Sequence, residues 1–149
     1  MNDDGDLAAV RAAFDALDPV PAAVLAAGRR ALAWRTPDAA LAELSGDRPP
    51  STAGLRGGRR SRVLTFTCAD VAVELEVDAI GRMREITGRL VPGAAAEVSV
   101  RHPRLGLGAV RTGADPAGLF HLPSVPEGLV SLAFALPDGS SAVTSWLRL

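Results

Sequence analysis

His102, His121 and Cys68, with nearby carboxylates and serines such as Glu97 and Ser124, are the residues best suited to bond-making chemistry here. A hydrolytic triad needs a nucleophile, a base and an orienting group in mutual contact. His102 and His121 are the only histidines, and no Gly-x-Ser-x-Gly elbow is present. His121 falls on the outward side of an alternating stretch, the pattern of an ordinary exposed strand residue. His102, His121 and Glu97 would make a metal site only if folding joined them, because no His/Cys cluster has ligand spacing. Cys68 could serve as a redox thiol. It alternates in phase with Leu64 and Phe66, however, so a buried, inert side chain is expected. The glycines follow neither the phosphate-loop nor the dinucleotide fingerprint. The expectation is no catalytic residue, no cofactor and no metal: not an enzyme.

The elements that would carry these residues divide the chain. From Leu7 the apolar residues Leu7, Val10, Phe14 and Leu17 lie near one stripe of an α-helix, with Asp3, Asp4 and Asp6 at its start, where the helix dipole favours negative charge. Pro19 and Pro21 stop it. Pro21 suits the first turn of a second helix through Val24, Leu25, Leu32 and Trp34, whose small residues, including Gly28, allow close approach by a neighbour. Thr36-Pro37-Asp38 reads as the start of a third, short helix through Leu41 and Leu44 to Gly46. Residues 1–46 are thus a helical region of two to three helices.

Residues 47–61, DRPPSTAGLRGGRRS, read as a flexible Arg/Gly/Pro linker. Its arginines suggest either an arm for nucleic acid or an acidic partner, or a solvated tether. No aromatic is interleaved for base stacking, so the tether is preferred.

From residue 62 the period becomes two. Leu64, Phe66 and Cys68 alternate with Val63, Thr65 and Thr67; Ala69-Asp70 turns the chain into Val71–Val77, giving a hairpin with Glu74 and Glu76 on one face. A strand over Arg82–Leu90 follows, then Ala95–His102, a loop, and a short strand over Ala109–Thr112. Asp115-Pro116-Ala117-Gly118 fits a type I turn, with Val125-Pro126-Glu127-Gly128 and Pro137-Asp138-Gly139 as further turns before a last strand over Ala142–Leu149.

The bulk properties exclude several function classes. At 149 residues the chain suits one domain or a small domain with an appendage, and 48% apolar with 22% charged residues suits a soluble globular protein. A net charge of −1 gives no pull toward nucleic acid or an anionic membrane. All 16 cations are arginine, a bias of the kind a GC-rich genome produces. One cysteine excludes an intramolecular disulfide. The start, MNDDGDLAAV, is acidic where a signal peptide is basic, and no run reaches the roughly 18–20 apolar residues of a membrane span. A cytoplasmic location without membrane partners is expected.

Ile86-x-Gly88-x-Leu90-Val91-Pro92, Glu97-Val98-Ser99-Val100, Thr112 through Gly118-Leu119-Phe120, and Pro126-x-Gly128-Leu129-Val130 together resemble the carboxypeptidase regulatory-like domain family. The resemblance covers roughly residues 84–149. It implies an antiparallel, Greek-key, transthyretin-like β-sandwich over residues 62–149, of about seven to eight strands, and hence an α+β chain. A Tyr common after the second Gly of that family is absent, and the loop after Val91 is short. The domain carries no catalytic residues in carboxypeptidases.

The whole chain is also similar to small actinobacterial proteins with a helical N-terminus, through Asp18-Pro19-Val20-Pro21, Ala31–Arg35, Leu41–Leu44 and Trp146. Such proteins tend to be encoded beside extracytoplasmic-function-type sigma factors, which implies a regulatory or adaptor role with a sigma factor as candidate partner.

Leu7, Val10, Phe14, Leu17, Leu25, Leu32 and Trp34 supply more apolar surface than short helices readily bury among themselves. Either they pack within one body with the sandwich, or they leave a stripe for a protein partner. The second reading makes the chain a non-enzymatic adaptor, anchored by Phe14, Leu17 and Trp34. The alternative is a peptide- or sugar-binding sandwich. With 4% aromatics and no Tyr, only Trp146 would serve it.

Overall fold

The computed structural model describes residues 3–50 and 61–149, so most of the expected linker lies outside the described residues. The chain divides into two compact units, Met1–Arg35 and Thr36–Leu149.

The first unit holds α1 (Asp3–Leu17) and α2 (Ala22–Ala33). Both are alanine-rich, which favours helix locally without supplying much to pack. Pro21, at φ −54° and ψ 137°, stands just before α2, where its missing N–H costs nothing; the carbonyl of Pro21 accepts from Val24 N at 2.9 Å. Trp34 closes α2: its N–H donates to the Ala31 carbonyl at 3.2 Å, and Arg35 N–H donates to the Leu32 carbonyl at 3.1 Å.

The second unit is a mostly antiparallel β structure, and the chain as a whole is α+β. Its strands are β1 (Ala40–Arg48), β2 (Ser61–Cys68), β3 (Val71–Ile80), β4 (Met83–Val91), β5 (Ala96–Arg101), β6 (Arg111–Ala114), β7 (Leu119–Pro126), β8 (Leu129–Ala135), β9 (Ser141–Thr144) and β10 (Leu147–Arg148). They hydrogen-bond in the order β6-β5-β8-β9-β1-β2-β3-β4-β7, with β10 beside β8. The two ends of this order, β6 and β7, are joined through the Asp115–Gly118 turn, so the sheet nearly closes on itself.

The third helix is a correction. Thr36-Pro37-Asp38 makes a turn closed by Ala39 N–H to the Thr36 carbonyl at 3.1 Å, and the residues that follow are β1. A cap and a proline serve a turn as well as a helix start. An isolated helix of two turns would be marginal, whereas β1 gains a ladder on each side, parallel to β9 and antiparallel to β2. Ala42, the third residue of β1, is fully buried.

The described strands number ten, against the seven to eight expected. One is β1. The other arises because Ala142–Leu149 breaks into β9 and β10: Ser145 N–H turns to the Ala42 carbonyl at 2.8 Å, and the chain then crosses to β8.

Most of the remaining pattern holds, although the short strand expected over Ala109–Thr112 lies at Arg111–Ala114. The β2–β3 pair runs in unbroken register from Ser61↔Asp78 to Cys68↔Val71. Alternation sends Leu64, Phe66, Val73, Leu75, Ile86, Leu90, Phe120, Leu122, Val98, Leu132 and Phe134 into one core. Phe120 and Phe134 meet edge-on, with centroids 5.6 Å apart.

The Asp115 turn has Gly118 N–H on the Asp115 carbonyl at 2.8 Å and Leu119 N–H on Asp115 Oδ1 at 2.9 Å. Gly118 has φ +81°, and a Cβ there would stand 2.6 Å from the Leu90 carbonyl oxygen. At Gly88 a Cβ would fall 2.2 Å from the tip of the Phe120 ring, so β4 passes β7 closely only because that side chain is missing.

Candidate functional site

The residues expected to bind a partner lie in the helical unit. Along α1, a rotation of about 100° per residue puts Leu7, Val10, Phe14 and Leu17 on one stripe. All four are exposed, Phe14 by 66% and Leu17 by 87%. On α2, Leu25 and Leu32 share a stripe with Val24, and all three are exposed. Gly28 lies within that stripe, and a Cβ there would meet nothing within 4 Å. Val24 belongs with the expected set. Its signal was present in the i, i+4, i+8 spacing of Val24, Gly28 and Leu32. Trp34 differs, being half-buried at the end of α2.

Within the unit neither helix covers the other's stripe, since α2 buries no residue and every described α1 side chain is exposed. The connection explains part of this. Residues 19–21 form neither turn nor bridge, and both prolines have φ fixed. Asp18 and Val20, each before a proline, are steered to extended backbone, which carries a chain onward instead of folding it back.

Among residues that could do covalent chemistry, His102 is 2% exposed with both ring nitrogens engaged. Arg104 N–H donates to Nδ1 at 3.0 Å, and Nε2 lies 3.2 Å from the Glu127 carbonyl oxygen. An acceptor at Nδ1 and a donor at Nε2 is the neutral Nε2–H tautomer, so the ring links the β5 end to the β7–β8 turn. His121 is exposed on the outer face of β7, its Nε2 2.9 Å from Glu85 Oε1. Among the described residues neither histidine hydrogen-bonds a serine, and no group of three His, Cys, Asp or Glu has the arrangement to hold a metal. Cys68 is half-buried against the core, its Sγ 3.6 Å from the Val71 carbonyl oxygen.

Two surface features of the β unit bear on ligand binding. A shallow groove of about 460 Å³ crosses the outer face of β1–β4 and β7, between Arg48, Thr65, Glu74, Glu76, Thr87 and Arg89. No aromatic side chain lines it, and Arg89 Nη2 is already paired with Glu74 Oε2 at 2.8 Å. Trp146, partly exposed, has the Arg101 guanidinium 5.3 Å from its ring centroid. Burial lowers the pKa of Arg101 from its ordinary value.

Arg62 grips Asp47 through two bonds of 2.9 and 2.6 Å and donates to the Arg148 carbonyl at 3.0 Å, tying β1, β2 and β10. The hydrogen bonds from Arg62, aided by its charge, hold Asp47 below the usual carboxylate range against a smaller opposing effect of burial.

Comparison of the chain with protein-family models, curated proteins and solved structures finds no match.

Proposed function

We propose that this chain is a non-enzymatic cytoplasmic adaptor whose helical unit engages a protein partner and whose β unit is a rigid docking body. The observation that carries the reading is the exposed α1 stripe, above all Phe14 and Leu17. Contiguous apolar surface of this kind marks interaction sites, and an amphipathic helix laid against a partner's apolar groove is its usual use. The chemistry of the β unit points the same way: His102 has a structural role, and His121 is paired only with a carboxylate.

The resemblance makes a sigma factor of the extracytoplasmic-function type the first partner to try, and makes the β unit an elaborated transthyretin-like sandwich. The close approaches at Gly88 and Gly118 support the latter, because both belong to the motif that carries the resemblance. The peptide- or sugar-binding alternative would use the outer-face groove, which offers no aromatic platform.

Co-purification of the full chain with such a sigma factor tests the proposal. The wild-type chain retains the partner and a Phe14→Asp/Leu17→Asp variant loses it; equal recovery by both forms contradicts the adaptor reading.

A further inference from the structure

The two helices of the first unit carry opposite charge. Asp4, Asp6, Asp15 and Asp18 lie on or just after α1 against a single Arg11, while Arg29, Arg30 and Arg35 lie on or just after α2 with no acid. Among the described residues none of these groups has an ion-pair partner. Arg29 borders the α2 stripe on the Leu25 side, and Asp18, Asp4 and Asp15 border the α1 stripe on the Leu7 side with the single Arg11 among them. Each helix therefore presents an apolar stripe edged by charge that the other could neutralise. Residues 19–21 form neither turn nor bridge, the prolines steer the link toward extended backbone, and neither helix covers the other's stripe within one chain.

We infer that the occupant of this surface in the free protein is a second copy of the chain, with α1 of each copy against α2 of the other in a two-fold, four-helix arrangement. A surface bearing both signs of charge is self-complementary, as a two-fold interface requires. Gly28, with nothing against it, provides the depression in the α2 stripe that a side chain such as Phe14 from the other copy can enter. At about 60–120 Å² for each large apolar side chain, seven per copy would bury on the order of 1,000 Å² in the dimer, the lower range of specific interfaces. The consequence for regulation rests on the adaptor reading above: self-association occupies the face the other partner needs, so partner binding and dimerisation exclude one another.

The test is the mass of the full chain by sedimentation equilibrium from about 1 to 100 μM, at low and high salt. The expected result is a concentration-dependent dimer, weakened at least several-fold by salt. An Asp4→Arg/Asp15→Arg/Asp18→Arg variant and an Arg29→Glu/Arg30→Glu/Arg35→Glu variant should each be monomeric alone, and an equimolar mixture should form a mixed dimer. These positions are exposed, so unchanged circular dichroism of the β unit verifies that the variants fold. A monomer throughout the range overturns the inference, whether the helix amides are protected by another part of the same chain or left open. So does a dimer indifferent to both charge reversals. Mass reports on self-association alone: a monomer that still captures its sigma factor removes this inference and leaves the adaptor reading, and a charge-dependent dimer that captures none does the reverse.

Discussion

Phe134 in β8 and Phe14 in α1 are the same side chain in opposite circumstances, the first 1% exposed and the second 66%. Around Phe134, apolar residues of β1 to β8 gather into a single core. Around Phe14 the 3.6-residue period gathers Leu7, Val10 and Leu17 just as consistently, yet the unit offers nothing to cover them. Helices of 15 and 12 residues are marginal in water by themselves. The contrast teaches that amphipathic order in a sequence says where a side chain will point, and not whether its own chain will bury it.

The largest expected effect separates the two phenylalanines. Phe134→Ala should lower the unfolding free energy of the β unit by about 3–5 kcal/mol, whereas Phe14→Ala should change it by less than about 0.5 kcal/mol in dilute solution. Urea denaturation followed by Trp146 fluorescence measures both, and comparable losses would erase the distinction.

Next comes Gly88→Ala. The new methyl would force the buried Phe120 ring off its position against Phe134, at about 1–3 kcal/mol, with β4 and β7 as the first strands to lose amide protection. A neutral outcome would mean that the close passage of these strands is not a constraint.

The smallest effect is electrostatic. Asp47 has its pKa lowered in the folded state, so its contribution is present above the unfolded carboxylate value near 4 and is lost as pH falls through the folded value. Asp47→Asn should cost no more than about 1 kcal/mol at pH 7, given the partial exposure of the pair, and the difference from wild type should shrink below about pH 4. A difference that grows on acidification would reverse the sign.

Local signals carried most of the fold. The β2–β3 hairpin was legible because its alternation and its two-residue turn act within a few residues of each other, and the Asp115 turn because Asp, Pro and Gly each fit their place in it. β1 was not legible. Ala40-Leu41-Ala42-Glu43-Leu44 has the composition of a helix, and its strand state depends on β9, about a hundred residues away. The break between β9 and β10 was hidden for the same reason, since Ser145 bonds to Ala42 across the chain. In the helical unit the stripe of Leu7, Val10, Phe14 and Leu17 could be read directly. The sorting of acid onto α1 and base onto α2 was also present in the sequence, but it gains meaning only once neither helix is seen to cover the other's stripe.

Residue-resolved hydrogen exchange of the full chain, at a concentration low enough to keep it monomeric, is the most direct measurement of the central contrast. The account predicts that amides of α1 and α2 exchange close to the unprotected rate while those of β2, β3 and β8 exchange only through global unfolding, and that adding partner protects the helices alone. Helices protected in the dilute monomer as strongly as those strands would mean that the stripe around Phe14 belongs to the fold, and the adaptor account would have no surface left to stand on.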